Sequence, residues 1–344
     1  MANFSILIHG ATGETGGEII EGLLNDGSYS ISALVRPQSA EKPAVKALET
    51  RGIKIVLADT AKQNAEELAT LLHGYDAILS AVAAEAQLEQ LVLVDAAAKA
   101  GIKRFVPCGF TTVSPPGGVM DLRNQKERVH ERIWYHHIPY TIIDVGFWYQ
   151  FSWPVVPSGR LDHANLLPNT TIYGDGNAPN ILTDKRDIGT FVARILKDER
   201  TLNKRVFTCS EVLSQNQVYA LMEEKTGEKI QPSQKSEKET MAMMVEAKAA
   251  HEADPTNPIK YFGFLDTQYA VSKYVLRDSS PENAKYLGYL DARELYPDLK
   301  PISFTTFLDD LLAGKAMFHA SKYREMKAVL EGSVYKSNVD NIEI

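Results

Sequence analysis

Residues Phe4–Gly17 read FSILIHGATGETGG, an apolar run that leads directly into glycines at positions 10, 13 and 16. The run predicts a β-strand at Phe4–His9, and apolar residues at helical spacing from Ile19 to Leu24 predict a helix after the glycines. A strand, a glycine-rich turn and a helix in this order are typical of a pyrophosphate-binding turn, because glycines let backbone N–H groups approach the charge. The alternative is a glycine-rich turn that binds nothing.

The alternation of strand and helix continues outward from this turn. Gly27 and Gly101 are expected to end the first helix and the helix before the fifth strand. Because parallel strands need such helical crossovers, the pattern predicts an α/β fold, a Rossmann doubly wound parallel sheet. Its further strands are predicted at Tyr29–Val35, Ile53–Ala58, Ala77–Val82 and Arg104–Pro107.

The second half of the chain is less regular and predicts a second, smaller α-rich lobe. Tyr140–Val145 is expected to add a sixth strand, and Asp187–Lys197 and Arg205–Thr208 to return the chain to the sheet as a helix and a strand. We therefore predict an NADPH-binding Rossmann domain over residues 1–150, completed by about 185–209, and a substrate-binding lobe over 151–184 and 210–344.

Composition argues against several classes of protein. The formal charge is 37 − 44 = −7 without a block of like charges, so we expect neither nucleic acid nor an anionic membrane as a partner. Cys108 and Cys209 stand far apart without a histidine cluster, which predicts no disulfide framework and no metal site. No apolar stretch approaches the roughly 20 residues of a membrane span, and we expect no secretory signal. The expected location is the cytoplasm.

The end of the second strand indicates which dinucleotide binds. NAD enzymes usually place an acid there, whereas an arginine accommodates the 2′-phosphate of NADPH. No acid occurs from Tyr29 to Ala40, and Arg36 directly follows the predicted strand. Arg36, with Lys42 or Lys46 in support, therefore predicts NADPH/NADP+; the alternative is an ordinary surface charge. Further cofactor contacts are predicted at Gly10, Thr12, Gly13, Glu14, Thr15, Gly16 and Ala81.

A lysine falls on the apolar face of the helix before the sixth strand. In the helix predicted over Leu122–His136, Lys126 shares one face with Val129 and Ile133. Lysine is seldom buried unless it is paired or functional. In a poorly hydrated site its pKa could fall enough for proton transfer at neutral pH, which makes Lys126 the candidate catalytic residue. The alternative is a lysine that extends from the edge of the stripe into solvent.

These motifs resemble the atypical short-chain dehydrogenase/reductase group of isoflavone, phenylcoumaran benzylic ether and pinoresinol reductases with NmrA. The resemblance implies NADPH-dependent reduction, the family's active-site lysine at Lys126, and an aromatic residue near the cofactor at Phe110. The matching segments cover nearly the whole chain in order: Gly10–Gly16, Val35–Arg36, Lys103–Pro107, Lys126–Thr141, Tyr173–Asn177, Asp187–Gly189 and Glu294–Asp298.

The chain also departs from the family pattern. The reductases usually carry Pro-Ser-Glu-Phe-Gly after the fifth strand, whereas Pro107–Thr111 reads PCGFT, and the missing acid weakens the case for plant phenolic substrates. Leu122 stands four residues before Lys126, so this helix lacks the Tyr-x-x-x-Lys pair of ordinary short-chain dehydrogenases. A Tyr-x-x-x-Lys at Tyr269–Lys273 lies in the other predicted lobe, and we interpret it as fortuitous.

Aromatic residues cluster where the sixth strand ends, with five of them in Phe147–Trp153. Ligands of open α/β sheets bind beyond the carboxyl ends of the strands. The cluster therefore predicts a pocket for a flat hydrophobic or aromatic substrate; packing between the lobes is the alternative. The predicted substrate-binding residues are Phe110, Thr111, Phe147, Trp148, Tyr149 and Phe151.

The sequence favours an NADPH-dependent reductase, a monomer or homodimer, that delivers hydride to a small hydrophobic, aromatic or conjugated metabolite. Lys126 would assist proton transfer. One alternative is an NmrA-type redox sensor that binds the dinucleotide and a partner protein without turnover, although a sensor has no chemical need for Lys126. The other is a non-redox isomerase or cyclase, which the sequence does not separate from the reductase.

Overall fold

The computed structural model describes residues 3–165 and 169–315. Its strands are β1 Phe4–His9, β2 Tyr29–Val35, β3 Lys54–Leu57, β4 Ala77–Ser80, β5 Arg104–Val106, β6 Thr141–Asp144, β7 Phe147–Trp148, β8 Thr171–Tyr173, β9 Asn180–Thr183, β10 Lys204–Phe207, β11 Glu211–Leu213, β12 Ser233–Lys235 and β13 Tyr289–Asp291. Its α-helices are α1 Glu14–Asp26, α2 Pro43–Thr50, α3 Ala65–Leu72, α4 Gln90–Ala100, α5 Asp121–Tyr135, α6 Lys185–Ile195, α7 Gln215–Thr226, α8 Glu237–Ala253, α9 Pro258–Ala270, α10 Pro281–Tyr286, α11 Ala292–Leu295 and α12 Phe304–Leu312.

The first five strands form a parallel sheet in the order β3-β2-β1-β4-β5. A parallel bridge between Phe105 and Tyr140 leads from β5 to β6. Strand β10 pairs in parallel with β6, and β13 pairs in parallel with β10. The order 3-2-1-4-5-6 is that of a Rossmann sheet, so the predicted fold class is confirmed.

The chain divides into two compact units. Among the described residues, unit 1 contains those of Met1–Tyr149, Pro179–Leu213 and Arg277–Ser303; unit 2 contains those of Gln150–Ala178, Ser214–Leu276 and 304–315. The sequence predicts that all of 210–344 belongs to the smaller lobe. This is wrong for residues 210–213, which lie in the unit 1 segment Pro179–Leu213, and for Arg277–Ser303. That segment belongs to unit 1 because its strand β13 pairs with β10. A three-residue strand carries too little periodicity to be recognised in sequence.

Residues 179–184 were also assigned to the smaller lobe, and the structure places them in unit 1. The reason is strand β9, which pairs with β7 in the register Phe147↔Leu182. The predicted return of the chain to the sheet after this point is correct, because α6 and β10 follow as a helix and a strand. That unit 2 binds the substrate stays a prediction.

Local signals set the helix ends in unit 1. Helices α1 and α4 end at Gly27 and Gly101, whose φ angles of 75° and 67° lie in the left-handed region that favours glycine, as predicted. Helices α3, α4 and α5 cover the sheet through a shared apolar cluster that includes Leu93, Phe105 and Val129. This cluster packs α5 against the parallel sheet.

Helices α1 and α6 pack unusually close together. A Cβ atom built on Gly22 would stand 2.0 Å from the carbonyl carbon of Gly189, and one on Gly189 would stand 2.0 Å from the carbonyl oxygen of Glu18. The two helices therefore touch backbone to backbone. The contact also brings Lys185, at the start of α6, to the side chains of Glu14 and Glu18 on α1.

Unit 2 is rich in helix, as predicted. In its described part α7 packs against α12, and α8 packs against α9. Ser214 and Ser236 begin α7 and α8 as capping boxes, in which the serine side chain accepts from a backbone N–H of the first turn and a Gln or Glu side chain returns a bond. Strands β8 and β12 add a short parallel pair.

Candidate active site

The turn between β1 and α1 forms a backbone cradle. Gly10 has a φ of +88°, and a Cβ there would stand 2.4 Å from the carbonyl oxygen of Ala81, so both conformation and contact require glycine. A Cβ on Gly16 would stand 2.2 Å from the carbonyl oxygen of Gly10. Gly13 begins α1 without a side-chain cap, and a helix N-terminus without such a cap favours an anion. The turn therefore fits a pyrophosphate group.

The side chains of this turn differ in their exposure. Thr12 is exposed and Thr15 is half-buried, so both hydroxyls lie where a ligand of the cradle could reach them. Glu14 is buried, and its carboxylate forms an ion pair with Lys185, whose Nζ also lies 3.4 Å from Glu18 Oε1. The ammonium offsets a negative charge that would otherwise repel a phosphate. Lys185 is not among the residues that the sequence predicts for the site.

Arg36 is exposed at the end of β2, where the next three residues form a 3-10 turn. Burial, together with the positive charge of Arg36, lowers the pKa of His9 to about 4, which places Arg36 near the end of β1. The ammonium of Lys46 lies 3.1 Å from Glu41 Oε1 and 3.3 Å from Glu49 Oε2. Of the three cations that the sequence suggests for the cofactor, Lys46 is therefore already engaged with carboxylates, and its contact with a cofactor stays a prediction.

Lys126 points into the protein from α5 and is 3% exposed, which confirms that it lies on the buried face. Its Nζ donates to the carbonyl oxygen of Cys108 at 2.7 Å and to Gln87 Oε1 at 3.1 Å, and lies 3.7 Å from Cys108 Sγ. Burial lowers the pKa of Lys126, and the nearby charge of Arg123 adds to the effect. The ammonium is therefore a stronger acid than an exposed lysine.

Two buried glutamines hold the groups around Lys126. Gln90 Oε1 accepts from the N–H of Cys108 at 2.9 Å, and Gln90 Nε2 donates to Gln87 Oε1 at 3.2 Å. Gln87 Nε2 donates to the carbonyl oxygen of Ala83 at 3.0 Å. The network ties α5, the residues after β4 and the residues after β5 together at the edge of the sheet that carries the Gly10 turn.

Neither glutamine is among the predicted site residues, although the sequence carries a signal for both. Gln87 and Gln90 stand three residues apart, at the spacing of one helical face, just before the apolar residues of α4. Polar side chains on a face that should be buried must find hydrogen-bond partners inside the protein. Their partners could not be named from sequence, because Cys108 and Lys126 lie far along the chain.

A second charged cluster fixes α5 from the side of β6. Arg123 is 1% exposed, and its Nη2 donates to Asp144 Oδ2 at 2.6 Å and to the carbonyl oxygen of Thr112 at 2.9 Å. The Tyr289 hydroxyl donates to the same Asp144 oxygen at 2.5 Å. Although burial opposes it, the Asp144 carboxylate raises the pKa of Arg123. This cluster positions the helix that carries Lys126.

Phe110 and Thr111 continue the chain after β5. Phe110 has a φ of 49°, which is strained for an aromatic residue, and its N–H donates to the carbonyl oxygen of Ile143 at 2.7 Å. The carbonyl oxygen of Thr111 accepts from the N–H of Val145 at 3.0 Å. Both residues thus lie beside the end of β6. Strained backbone is frequent at functional sites.

The aromatic run after β6 spans the boundary between the two units. Phe147 is half-buried and Trp148 is buried in β7, both in unit 1, whereas Phe151 belongs to unit 2. Tyr149 is fully buried, and its hydroxyl lies 3.3 Å from Glu211 Oε2 and 3.3 Å from the carbonyl oxygen of Ile302. Substrate contacts of the run stay a prediction.

Within residues 3–165 and 169–315 no set of His, Cys, Asp and Glu side chains is grouped so that it could hold a metal ion. Over the same ranges no helix combines the length and the apolar character needed to cross a membrane.

The family model for the NmrA-like family matches residues 3–287. The chain belongs to the NmrA-like family. The chain is 39% identical over 314 residues to asnovolin J 5′,6′-dehydrogenase of Aspergillus novofumigatus. The alignment covers 90% of this chain and 96% of that protein. The chain is 25% identical to the probable pinoresinol-lariciresinol reductase 3 of Arabidopsis thaliana, over 89% of this chain and 97% of that protein.

A solved structure agrees with these relationships. The complex of leucoanthocyanidin reductase with NADPH from Vitis vinifera superposes with a TM-score of 0.74 at 25% identity, and covers 90% of this NmrA-like chain and 99% of that one. The relatives are thus dehydrogenases and reductases by name, which confirms the resemblance inferred from the motifs.

Proposed function

We propose that this NmrA-like protein is an oxidoreductase that binds NADPH/NADP+ and transfers hydride to a small hydrophobic, aromatic or conjugated molecule. The observation that carries the proposal is the buried amine of Lys126, held at the sheet edge that also carries the Gly10 cradle. The NADPH complex of the Vitis vinifera reductase supports the choice of cofactor. We also propose that the protein acts in the cytoplasm as a monomer or homodimer.

Each part of the site has a task in this proposal. The turn from Gly10 to Gly16 would bind the pyrophosphate through backbone N–H groups, and Arg36 would bind the 2′-phosphate. When bound, NADPH supplies the hydride. Lys126 would donate a proton to the substrate oxygen or stabilise negative charge there, because its lowered pKa eases proton release. Burial keeps water away from the amine.

The test uses NADPH that carries deuterium at C4, one face at a time. Purified protein is incubated with labelled cofactor and a small-molecule extract of its source organism, and products are identified by mass spectrometry. A deuterated product that requires the protein is expected. A protein-dependent product without deuterium would move the assignment to a non-redox isomerase or cyclase, and the absence of any product would favour the dinucleotide sensor.

The opposite direction of hydride transfer is the second candidate. It is favoured by the 39% identity to a protein named as a dehydrogenase. The same residues would serve, with Lys126 in its neutral form taking a proton. Incubation of the extract with NADP+ and detection of NADPH by its absorbance distinguish the two directions.

Arg36→Glu is expected to reverse the choice of cofactor. The exposed guanidinium at the end of β2 would be replaced by a carboxylate, which repels the 2′-phosphate and accepts from a ribose hydroxyl. The ratio of NADPH to NADH affinity should fall by about 100-fold or more, since a charged hydrogen bond contributes roughly 1.5–3 kcal/mol and repulsion adds to the loss. Isothermal titration with both cofactors measures it.

The control for this variant is Arg51→Glu, a change of the same charge at an exposed arginine whose partner is Glu21. Its cofactor ratio should match that of the unmodified protein. An Arg36→Glu variant that keeps the NADPH preference would show that another cation recognises the 2′-phosphate.

Gln87→Leu is expected to lower the pKa of Lys126 further. The variant removes the 3.1 Å acceptor of the Lys126 ammonium and leaves a side chain of similar size. Because the protonated amine loses a partner, the alkaline limb of the pH–rate profile should move to lower pH. The profile of hydride transfer measures this shift.

Glu89→Gln, at an exposed position of the same 3-10 turn, is the matched control and should leave the profile in place. A purely structural role of Gln87 predicts a lower rate with an unshifted profile, so an unshifted alkaline limb in Gln87→Leu would overturn its assignment as a positioning residue.

A further inference from the structure

Five polar side chains of unit 1 form a closed ring of hydrogen bonds and ion pairs beside α5. Arg123 Nη2 donates to Asp144 Oδ2 at 2.6 Å, and the Tyr289 hydroxyl donates to the same oxygen at 2.5 Å. Arg205 Nη1 donates to the Tyr289 hydroxyl at 3.4 Å and to Glu127 Oε1 at 3.1 Å. Glu127 Oε1 lies 3.6 Å from Arg123 Nη1, which closes the ring. We call these five residues the Arg123 ring.

The Arg123 ring is buried and balanced in charge. Arg205 is half-buried, and the other four members are 7% exposed or less: Arg123, Glu127, Asp144 and Tyr289. Although burial opposes it, hydrogen bonds with His130 and Arg205 lower the pKa of Glu127 to about 2. Burial raises the pKa of Tyr289, so its hydroxyl stays neutral. Two guanidinium groups thus face two carboxylates, and each buried charge has a counter-charge.

The ring meets the surroundings of Lys126 in two places. On α5, Arg123 lies three residues before Lys126 and therefore on the same side of the helix. On β6, Asp144 uses only Oδ2 within the ring, and Oδ1 accepts no hydrogen bond from the described residues. A Cβ built on Gly109 would stand 3.2 Å from this Oδ1. The oxygen thus faces the backbone directly after Cys108, whose carbonyl oxygen accepts from Lys126 Nζ at 2.7 Å.

The two places put opposite charges near the Lys126 amine. Burial is the main cause of its lowered pKa; the Arg123 charge adds to the lowering, whereas the Cys108 side chain and the Asp144 charge oppose it. The 3-10 turn and α4 contribute the two neutral glutamines of the network around the amine. Arg123 and Asp144 therefore act on the amine in opposite directions, and their effects offset each other while both charges are present.

We propose that Asp144 is a positioning residue of the candidate active site, whose charge balances that of Arg123 and thereby keeps the Lys126 amine protonated for proton donation. The inference rests on the proposed oxidoreductase function and deepens it, because it adds the control of the acid to the site. Gly109 permits the close approach of Asp144, since a Cβ there would also stand 2.2 Å from the carbonyl oxygen of Ile143.

The first test follows the protonation of Lys126 directly, without a substrate. Protein labelled with carbon-13 at the lysine Cε is titrated by NMR, and the Lys126 signal is the one that Lys126→Met lacks. In Asp144→Asn the midpoint of this titration should move to lower pH by about 1 unit or more, because Arg123 remains as a like charge one helical turn away at an effective dielectric constant of about 20. Asparagine keeps the size of aspartate and an oxygen that can accept from Arg123.

A double variant separates charge from structure. Arg123→Met, Asp144→Leu removes both charges, so the midpoint should return close to that of the unmodified protein although more of the ring is lost. Tyr289→Phe removes a hydrogen bond to the same carboxylate but no charge, and should leave the midpoint in place. A merely structural role of Asp144 predicts instead that the variants shift the midpoint according to their loss of stability.

The other charged and titratable groups are controlled as well. Cys108→Ser removes the thiol that lies 3.7 Å from Lys126 Nζ, and the shift caused by Asp144→Asn should persist in that background. Glu127 and Arg205 keep their charges in the alkaline range, because the pKa of Glu127 is about 2 and arginine does not lose its proton there. Burial lowers the pKa of His130, which is therefore neutral in the same range.

The same shift should appear in the alkaline limb of the pH–rate profile of hydride transfer. An unshifted Lys126 titration in Asp144→Asn, or an equal shift in Tyr289→Phe, would overturn the proposal. Should Asp144→Asn not fold, Arg123→Gln provides the converse, since it leaves the Asp144 charge alone beside the amine and should raise the midpoint. A midpoint that does not rise there also overturns the proposal. Because the NMR titration needs neither NADPH nor a substrate, its failure is distinct from a failure of the deuterium experiment, which tests the proposed function.

Discussion

Lys126→Met lowers kcat for hydride transfer by about 10²–10⁴-fold, the usual contribution of a positioned acid or base, and has a much smaller effect on the Kd of NADPH. Methionine keeps the length and apolar stem of lysine but cannot donate to Cys108 or Gln87. The loss should therefore fall on the proton-transfer step. Stopped-flow measurement of NADPH oxidation, with the substrate that the deuterium experiment identifies, gives kcat, and titration of the cofactor gives the Kd.

The pH profile sharpens this expectation. Because burial holds the pKa of Lys126 below its usual range, the rate of reduction should fall as pH rises through that lowered pKa, where the proton is lost. Lys126→Met should abolish this limb. Lys99→Met, at an exposed lysine that pairs with Glu66, should keep both rate and profile. An unchanged kcat in Lys126→Met would exclude Lys126 as the proton donor.

Arg123→Met destabilises the protein by about 3–5 kcal/mol, the cost of breaking a buried ion pair by removal of one partner. Asp144 is fully buried, and in the variant its charge would lack the guanidinium that lies 2.6 Å away. The Tyr289 hydroxyl would remain as a donor, but a single neutral donor does not replace a cation. The midpoint of urea unfolding, followed by tryptophan fluorescence, should fall accordingly.

Arg128→Met provides the comparison for this effect. Arg128 lies on the same helix but is exposed, and exposed substitutions usually change stability by no more than about 0.5 kcal/mol. The double variant Arg123→Met, Asp144→Leu removes both charges and should recover much of the loss, since buried pairs can often be replaced by apolar residues. Equal midpoints for Arg123→Met and Arg128→Met would contradict the assigned role of the pair.

Much of the fold could be predicted because its signals are local. The apolar run and glycines of Phe4–Gly17 specify a strand, turn and helix within one short segment. Lys126 could be recognised because a lysine interrupts a helical stripe that is otherwise apolar. By contrast, β13 has three residues and owes its place in the sheet to pairing with β10, far away in sequence. No local pattern specifies such a strand.

The sequence indicates single candidate residues of the site, but not the hydrogen-bond network around Lys126. Arg36 and the glycine-rich turn were recognisable from the chemistry that a dinucleotide requires. Gln87 was not, because its meaning depends on Lys126, which lies 39 positions away in the chain. A single sequence carries no information on which distant polar groups meet. Buried hydrogen-bond partners are therefore the part of the site that needs a structure.

The backbone contact between Gly22 and Gly189 fixes the position of α1 relative to α6. Because no side chain lies between the two helices at this contact, no change of rotamer can compensate for a displacement of one helix. A movement of α6 would therefore also move α1 and the turn at its N-terminus. The Gly10–Gly16 turn and the Asp187–Gly189 motif, which are far apart in sequence, are thus expected to move as one rigid unit.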